Sequence, residues 1–489
     1  MRMIALRLTA VGVLFGVLST VWGASEESEA WRARTAWFRD ARYGVFTHYL
    51  AQQVTDANDL HSDGVARSWD TCVDGFDVTR YADSMKRMGA GYVVFTVYQG
   101  RRNLAAPLDE PLERLFGKKP GEGCARRDLI MELADALAER GIPLMLYWTG
   151  DGPDRDDPAR NERNGFRRPV PIAWVEKWAE VLACCACRYG TKVKGWWIDG
   201  CYVKHGQLGY TSETLRLYER AIRKGNPDAI IAFNNPISCD TGPVEAYLPF
   251  EDYTAGEMNN LSQYPDGRDI GRQWHVLTFL GAPFWGDPGV RYTTRSLGQY
   301  VHLVNLGGGV VTFDVICYWD GGLDRSQVNA LAGLRRELAR YARKADDANL
   351  AYGCPARILN LKGEPLEGQV FCRNMPLSAT DGDEKTVLQG CFEWPWQLEV
   401  DLMAGKRFSR VEVLYRPGFF ATRYRVAVSS EGKSWRPLRE GENTNPHSTS
   451  VSFEPVSARY LRFAALKPDG EGQVGNQMAI AEIAVTHQP

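Results

Sequence analysis

Between residues 35 and 320 the chain alternates short apolar runs with longer runs whose apolar residues recur every three or four positions. The short runs are YGVFTHYL (43–50), GYVVFTVY (91–98), IPLMLYW (142–148), VKGWWID (193–199), AIIAFNN (229–235) and VVTFDV (310–315). Their length and near-continuous hydrophobicity predict strands in a sheet covered on both faces. YADSMKRMG, RDLIMELADALAERG, AWVEKWAEVLACCACRYG and SETLRLYERAIRKGNPD predict helices, the last capped by Ser212 and stopped by Gly225. Repeated βα units predict a parallel sheet. Six clear strands, with a weakly patterned stretch at 240–290, fit a closed (β/α)8 barrel of the TIM type. Polar groups gather just past the strand ends: His48, Tyr98 with Gln99, Trp148, Asp199, and Asn234 with Asn235. That face carries the site in such barrels. An open doubly wound sheet also collects its site at strand ends, but no GxGxxG follows the first strand.

The texture changes after the helical run SQVNALAGLRRELARYARKADD. ILNLKGEPLEGQVFCRN, LEVDLMAGKRFSRVEVLYRP, YRVAVSSEGKSWRPL and SARYLRFAAL are short alternating stretches broken by Gly, Pro and Asp. They predict an antiparallel β-sandwich. The expected organisation is a barrel over 30–348 and a sandwich over 350–489. At the N-terminus, Arg2 and Arg7 precede a mainly apolar run at 8–22 that is short for a membrane span. This predicts a signal peptide over 1–23 and a secreted or periplasmic mature chain. No later run is long and apolar enough to span a bilayer.

Charge and cysteine content narrow the function. Fifty-eight Lys and Arg against 60 Asp and Glu give a net charge of −2, without a basic stripe, so nucleic acid is not an expected partner. Fifteen Trp and 21 Tyr offer ring faces for a carbohydrate, though aromatic residues also fill cores. The eleven cysteines lack the His/Cys spacing of a zinc site and read mostly as small buried hydrophobes. No metal ligand set and no required cofactor are expected in the barrel.

WWIDG places one carboxylate, Asp199, at a strand end beside Trp196 and Trp197. Glycoside cleavage needs two carboxyls flanking the scissile bond. LPFEDYTAGEMNN offers Glu251, Asp252 and Glu257 as the second. An aromatic pocket desolvates a carboxylate, so a nucleophile there needs compensating donors; His48 and the Trp N–H groups are candidates. Gln99, Trp148, Trp197, Trp285, Tyr98 and Asn234 are candidate sugar contacts. His275 is a candidate hydroxyl ligand or proton donor.

WFRDARYGVFTHYL, MGAGYVVFTVYQG, GWWIDG and LVNLGGGVVTFDV together resemble the α-L-fucosidases of glycoside hydrolase family 29 over most of residues 35–320. The resemblance implies a sugar-binding role for His48 and a nucleophile role for Asp199. It places the acid/base tens of residues later, with Glu257 the leading choice and Glu251 the alternative. Two positions depart from the family. Val97–Tyr98–Gln99–Gly100 stands where members carry Lys-His-His-Asp-Gly, and Trp274–His275 where many carry Trp-Glu. ATDGDEKTVLQG, WPWQLEVDLMAGKRFSRVEVLY, YRVAVSSEGKSW and ARYLRFAA resemble discoidin domains (coagulation factor 5/8 type C) over roughly 360–487. That resemblance implies a carbohydrate-binding module and makes Asp381 and Asp383 candidate ligands of a structural calcium. The expected protein is an exported, exo-acting, retaining glycosidase of α-L-fucosidase type. The alternative is a non-catalytic sugar-binding protein with a degenerate barrel.

Overall fold

The computed structural model describes residues 30–99, 103–155, 157–203, 208–235, 242–265, 268–343, 349–364, 377–389, 395–467 and 478–487. The expected signal peptide and Cys239, Cys372 and Cys391 lie outside them. The eight described cysteines are free, and six of these are buried.

Seven strands form a parallel sheet: β1 (Tyr43–Thr47), β2 (Val93–Thr96), β3 (Leu144–Thr149), β4 (Val193–Asp199), β5 (Ile230–Phe233), β6 (His275–Phe279) and β7 (Val310–Asp314), in the order β5-β4-β3-β2-β1-β7-β6. The two ends of this sheet are joined by an irregular segment at 252–258. Asp252 N–H donates to Ile231 O of β5 at 2.9 Å. On the other side, Leu277 N–H of β6 donates to Gly256 O and Met258 N–H to Leu277 O, each at 2.9 Å. The barrel therefore closes with an eighth, non-strand stave, which is why 240–290 carries so little strand pattern.

Helices α1 (Val78–Met88), α2 (Leu129–Ala138), α3 (Ile172–Tyr189) and α4 (Ser212–Gly225) follow β1 to β4. Asp77 and Asp128 cap α1 and α2 by accepting N–H bonds from Arg80 and Met131. The cap of α4 is Thr211, in a reciprocal box with Thr214, and not Ser212 as the sequence predicts. Gly225 is the last residue of α4 and lies so close to α3 that a Cβ there would stand 2.1 Å from Ala186 O. Helices α5 (Thr294–Leu306) and α6 (Arg325–Arg343) flank β7 in the chain.

Strand alternation sorts the aromatic side chains. Trp197 enters the barrel core with Phe46, Met145, Tyr147, Ile230, Ala232, Leu277 and Val310. Trp148 faces outward instead and stacks on Trp178 of α3 at 4.9 Å. The interior positions continue to His48, Asp199, Asn234 and Asp314 at the C-terminal ends of their strands.

The C-terminal antiparallel sheet contains β8 (Ala356–Asn360), β9 (Leu388–Gln389), β10 (Trp396–Tyr415), β11 (Arg423–Ser429), β12 (Arg436–Glu442), β13 (Ser448–Ala465) and β14 (Ala479–Thr486). Its order is β12-β11-β13-β10-β14-β9, with β8 also paired to β10. The ladder of the long pair β10–β13 is interrupted between Asp401 and Lys406. Trp396, Leu398, Phe408, Val426, Phe463 and Ile480 lie in its core, as expected for a β-sandwich. Contacts divide the chain into one unit of residues 1–291 and 304–332, and a second of 292–303 and 333–489. The second unit thus takes in the first part of α5, where His302 Nε2 bonds Gly353 O at 2.9 Å.

Candidate active site

A cavity of about 390 Å³ opens at the C-terminal end of the barrel strands. Phe46, Tyr147, Trp197 and Leu277 supply apolar surface from within, and Leu50, Phe284 and Trp285 from the loops. Its polar lining includes His48, Gln53, Gln99, Asp199, Tyr202, Glu257 and Asn259.

Asp199 ends β4 and is 8 % exposed. Its Oδ2 accepts the Tyr147 hydroxyl at 2.5 Å, and its Oδ1 accepts Asn234 Nδ2 at 3.0 Å. The Tyr202 hydroxyl is a third donor to this carboxylate. Burial, and then the charge of Asp199, push both phenol pKa values upward, so both hydroxyls keep their protons and remain donors. The compensation foreseen for a desolvated Asp199 is thus present. It comes from two tyrosines and an asparagine, whereas Trp197 Nε1 donates to Ala255 O and Trp285 Nε1 to Asn259 Oδ1.

Glu257 sits on the irregular stave. Gly256, at φ +63°, presses so close to β6 that a Cβ would lie 2.0 Å from His275 O. No other residue fits that approach, and it brings Glu257 to the cavity. There Glu257 Oε2 accepts Asn234 Nδ2 at 2.6 Å. One amide nitrogen therefore bonds both carboxylates, and their two oxygens can be no farther apart than these bonds of 3.0 and 2.6 Å laid end to end.

Glu251 and Asp252 do other work. Glu251 accepts backbone N–H bonds from Phe233, Tyr247 and Leu248, and burial raises its pKa to about 7. Asp252 accepts Ile231 N–H and pairs with Arg34 and Arg223. Both tie the stave to β5, and neither lines the cavity.

His48, Gln99, Trp197 and Trp285 line the cavity, and Asn234 bridges its carboxylates. Three other expected residues are elsewhere. Tyr98 lies past the end of β2, bonds Thr149 O and packs edge-on against Trp148 and Trp178. Trp148 faces the helices because alternation gives the interior position on β3 to Tyr147. His275 begins β6, at the opposite end of the strand from the cavity. It is fully enclosed between Thr254 O and Thr312 Oγ1, and burial lowers its pKa to about 4. Tyr147, Tyr202, Gln53, Asn259 and Asp314 were not singled out from sequence. For Tyr147 the signal was there: it pairs in register with Trp197, an interior residue two before Asp199.

Among the described residues no group of three or more His, Cys, Asp or Glu side chains is placed to hold a metal ion. Asp381 and Asp383 in the C-terminal unit do not fit the expected calcium. Asp381 Oδ2 accepts Arg295 Nη2 and Gln299 Nε2, each at 2.9 Å, and Asp383 pairs with Arg295 Nη1. A guanidinium already occupies the position where a cation would neutralise the two carboxylates. No described helix is long and apolar enough to cross a membrane.

Residues 374–483 match the family model of the F5/8 type C domain. The solved structures similar to this chain include a Bacteroides thetaiotaomicron protein assigned as an α-L-fucosidase. It is 16% identical, with 93% of this chain and 97% of that chain covered, at a TM-score of 0.46. A Ruminococcus gnavus family 29 fucosidase solved with fucose is 14% identical over 93% of this chain and 94% of that one, at a TM-score of 0.41. A carbohydrate-binding module from Clostridium perfringens, solved with GalNAc-β-1,3-galactose, is 22% identical over 27% of this chain and 94% of that one, at a TM-score of 0.23. No curated protein matches the chain.

Proposed function

We propose that this barrel is a retaining, exo-acting glycoside hydrolase, with Asp199 as nucleophile and Glu257 as acid/base. The observation that carries the reading is the single Asn234 amide nitrogen bonded to both carboxylates. The bound it sets on the two bonded oxygens is close to the roughly 5–5.5 Å of retaining enzymes and short of the roughly 6.5–9.5 Å of the inverting arrangement.

Asp199, held by Tyr147, Tyr202 and Asn234, attacks the anomeric carbon while Glu257 gives its proton to the departing glycosidic oxygen. The glycosyl–Asp199 ester is then opened by water, whose proton returns to Glu257. Trp197 and Trp285 present apolar surface to a sugar ring, and the size of the cavity suits one terminal residue with the start of the next. The sequence resemblance makes an α-L-fucoside the first substrate to try, for an exported enzyme whose F5/8 type C domain would help to engage the glycan.

The test is hydrolysis of aryl α-L-fucosides and α- and β-galactosides by the full chain and by Asp199→Asn, with the first-formed anomer read by NMR. Retention, and loss of turnover in the variant, are expected. An inverted first product would overturn the mechanism. Undiminished sugar binding in Asp199→Asn, with no turnover of any substrate by either protein, would leave a sugar-binding barrel instead.

A further inference from the structure

A third carboxylate at the barrel mouth has no part in bond cleavage. Asp314 ends β7 and is 1 % exposed. Its Oδ1 faces His48 Nδ1 at 3.0 Å, and its Oδ2 accepts Gly286 N–H at 2.9 Å. Both partners line the cavity, and Gly286 directly follows the wall residue Trp285. The His48 ring is held edge-on by Phe46, Tyr147 and Trp285, with centroids 4.4, 5.9 and 6.2 Å away.

We propose that Asp314 is the positioning residue of this site: it fixes His48 as an Nδ1–H tautomer whose bare Nε2 accepts a sugar hydroxyl, and it anchors the Trp285 wall through Gly286. An ionised carboxylate only accepts, so the proton between Asp314 and His48 must sit on Nδ1. The other ring nitrogen is then an acceptor, suited to a hydroxyl donor and unsuited to a carbonyl or ether oxygen. Because the same carboxylate holds Gly286, the acceptor and the aromatic wall keep a constant spacing. The sugar's hydroxyl edge and its ring face are therefore read together. The kinetic consequence rests on the glycosidase reading; the tautomer does not.

The experiment is a long-range 1H–15N spectrum of the full chain, labelled at its seven histidines, at pH 8. The His48 signals are identified by their loss in His48→Gln. An Nδ1–H tautomer is expected in the wild type. In Asp314→Asn the amide oxygen remains the acceptor for Gly286 N–H, so the amide nitrogen confronts Nδ1 and the ring should move to Nε2–H. An Nε2–H tautomer or an imidazolium in the wild type overturns the proposal, whether or not Asp314→Asn folds. With a hydrolysed glycoside, Asp314→Asn should raise KM about tenfold with a smaller change in kcat, the scale of one lost hydrogen bond. Adding it to His48→Gln should then cost little more. Full additivity of the two changes would show that Asp314 does not act through His48. Absence of any turnover counts against the glycosidase reading and leaves the tautomer result standing.

Discussion

Asp199 and Glu257 are joined through one nitrogen, Asn234 Nδ2, at 3.0 and 2.6 Å. Two carboxylates this close repel unless a donor lies between them. The amide supplies both of its hydrogens to that purpose, and alternation along β5 puts it there: Ile230 and Ala232 are interior, and Asn234 is the next position on the same face. Replacing Asn234 by Ala removes the shared donor and leaves the carboxylates to separate. The expected loss in kcat is about a hundredfold, the scale of one preorganised donor at a reacting centre. Steady-state kinetics on an aryl glycoside check it, and a value within twofold of wild type would show that the bridge is incidental.

Glu257 should reveal its role through the leaving group. If it delivers the proton to the glycosidic oxygen, Glu257→Gln should lose about 10³-fold on a natural oligosaccharide. On a dinitrophenyl glycoside, whose leaving group needs no proton, the first step should be nearly unchanged and product should appear as a burst. Equal losses on both substrates would move the acid elsewhere.

The tyrosines should matter separately. Tyr147→Phe and Tyr202→Phe each remove one donor from Asp199 and little volume, so each should lower kcat by about tenfold or more without unfolding the barrel. Kinetics beside a circular dichroism melt separate the two effects. A lost melt with normal specific activity in the folded fraction would make either tyrosine a packing residue only.

The barrel was legible because buried parallel strands announce themselves as apolar runs, and Asp199 because a carboxylate at the end of such a run is costly without a purpose. Trp148 misled the reading: it stands at a strand end, but strand parity sends it outward and turns Tyr147 inward. Tyr98 misled differently, since the strand stops at Thr96 and parity no longer governs its ring. His275 resembles a site residue in sequence yet begins its strand rather than ending it. Glu257 depends on the contact of Gly256 with β6, and Asp314 on the meeting of β7 with β1. Those are long-range pairings that no local pattern encodes.

Two buried groups away from the cavity make opposite predictions for stability against pH. Burial lowers the folded pKa of His275 from 6.5 to about 4, so below 6.5 the unfolded chain gains a proton that the fold refuses. That contribution is complete above pH 6.5 and is lost as pH falls towards 4, by up to about 3 kcal/mol. Burial raises Glu251 from 4.5 to about 7, so its contribution is complete below 4.5 and is lost as pH rises through 7. Between about pH 4.5 and 6.5 the two slopes oppose and nearly cancel. Glu251→Gln should uncover the histidine slope, with Tm rising from pH 4.5 to 6.5 more steeply than in wild type. His275→Asn should uncover the opposite slope. Thermal melts across that range decide it, and parallel curves for all three proteins would exclude both groups as the source.

In the C-terminal unit, Arg295 reaches both Asp381 and Asp383. Burial raises the Asp381 pKa, whereas the Arg295 hydrogen bond is the main cause of the lowered pKa of Asp383. Removing the guanidinium leaves Asp381, which is fully enclosed, without its counter-charge, while Gln299 and Thr386 still donate to it. Arg295→Met should therefore destabilise the chain by about 2 kcal/mol, the partly exposed arginine reducing the cost of a fully buried pair. The two carboxylates would then face a vacated position of the right charge for a hard cation. Calcium should leave the wild-type Tm unchanged and raise that of Arg295→Met. A calcium-dependent Tm in the wild type would show that the ion displaces the arginine, and an unshifted Tm in the variant under all conditions would show that the ion pair contributes nothing to stability.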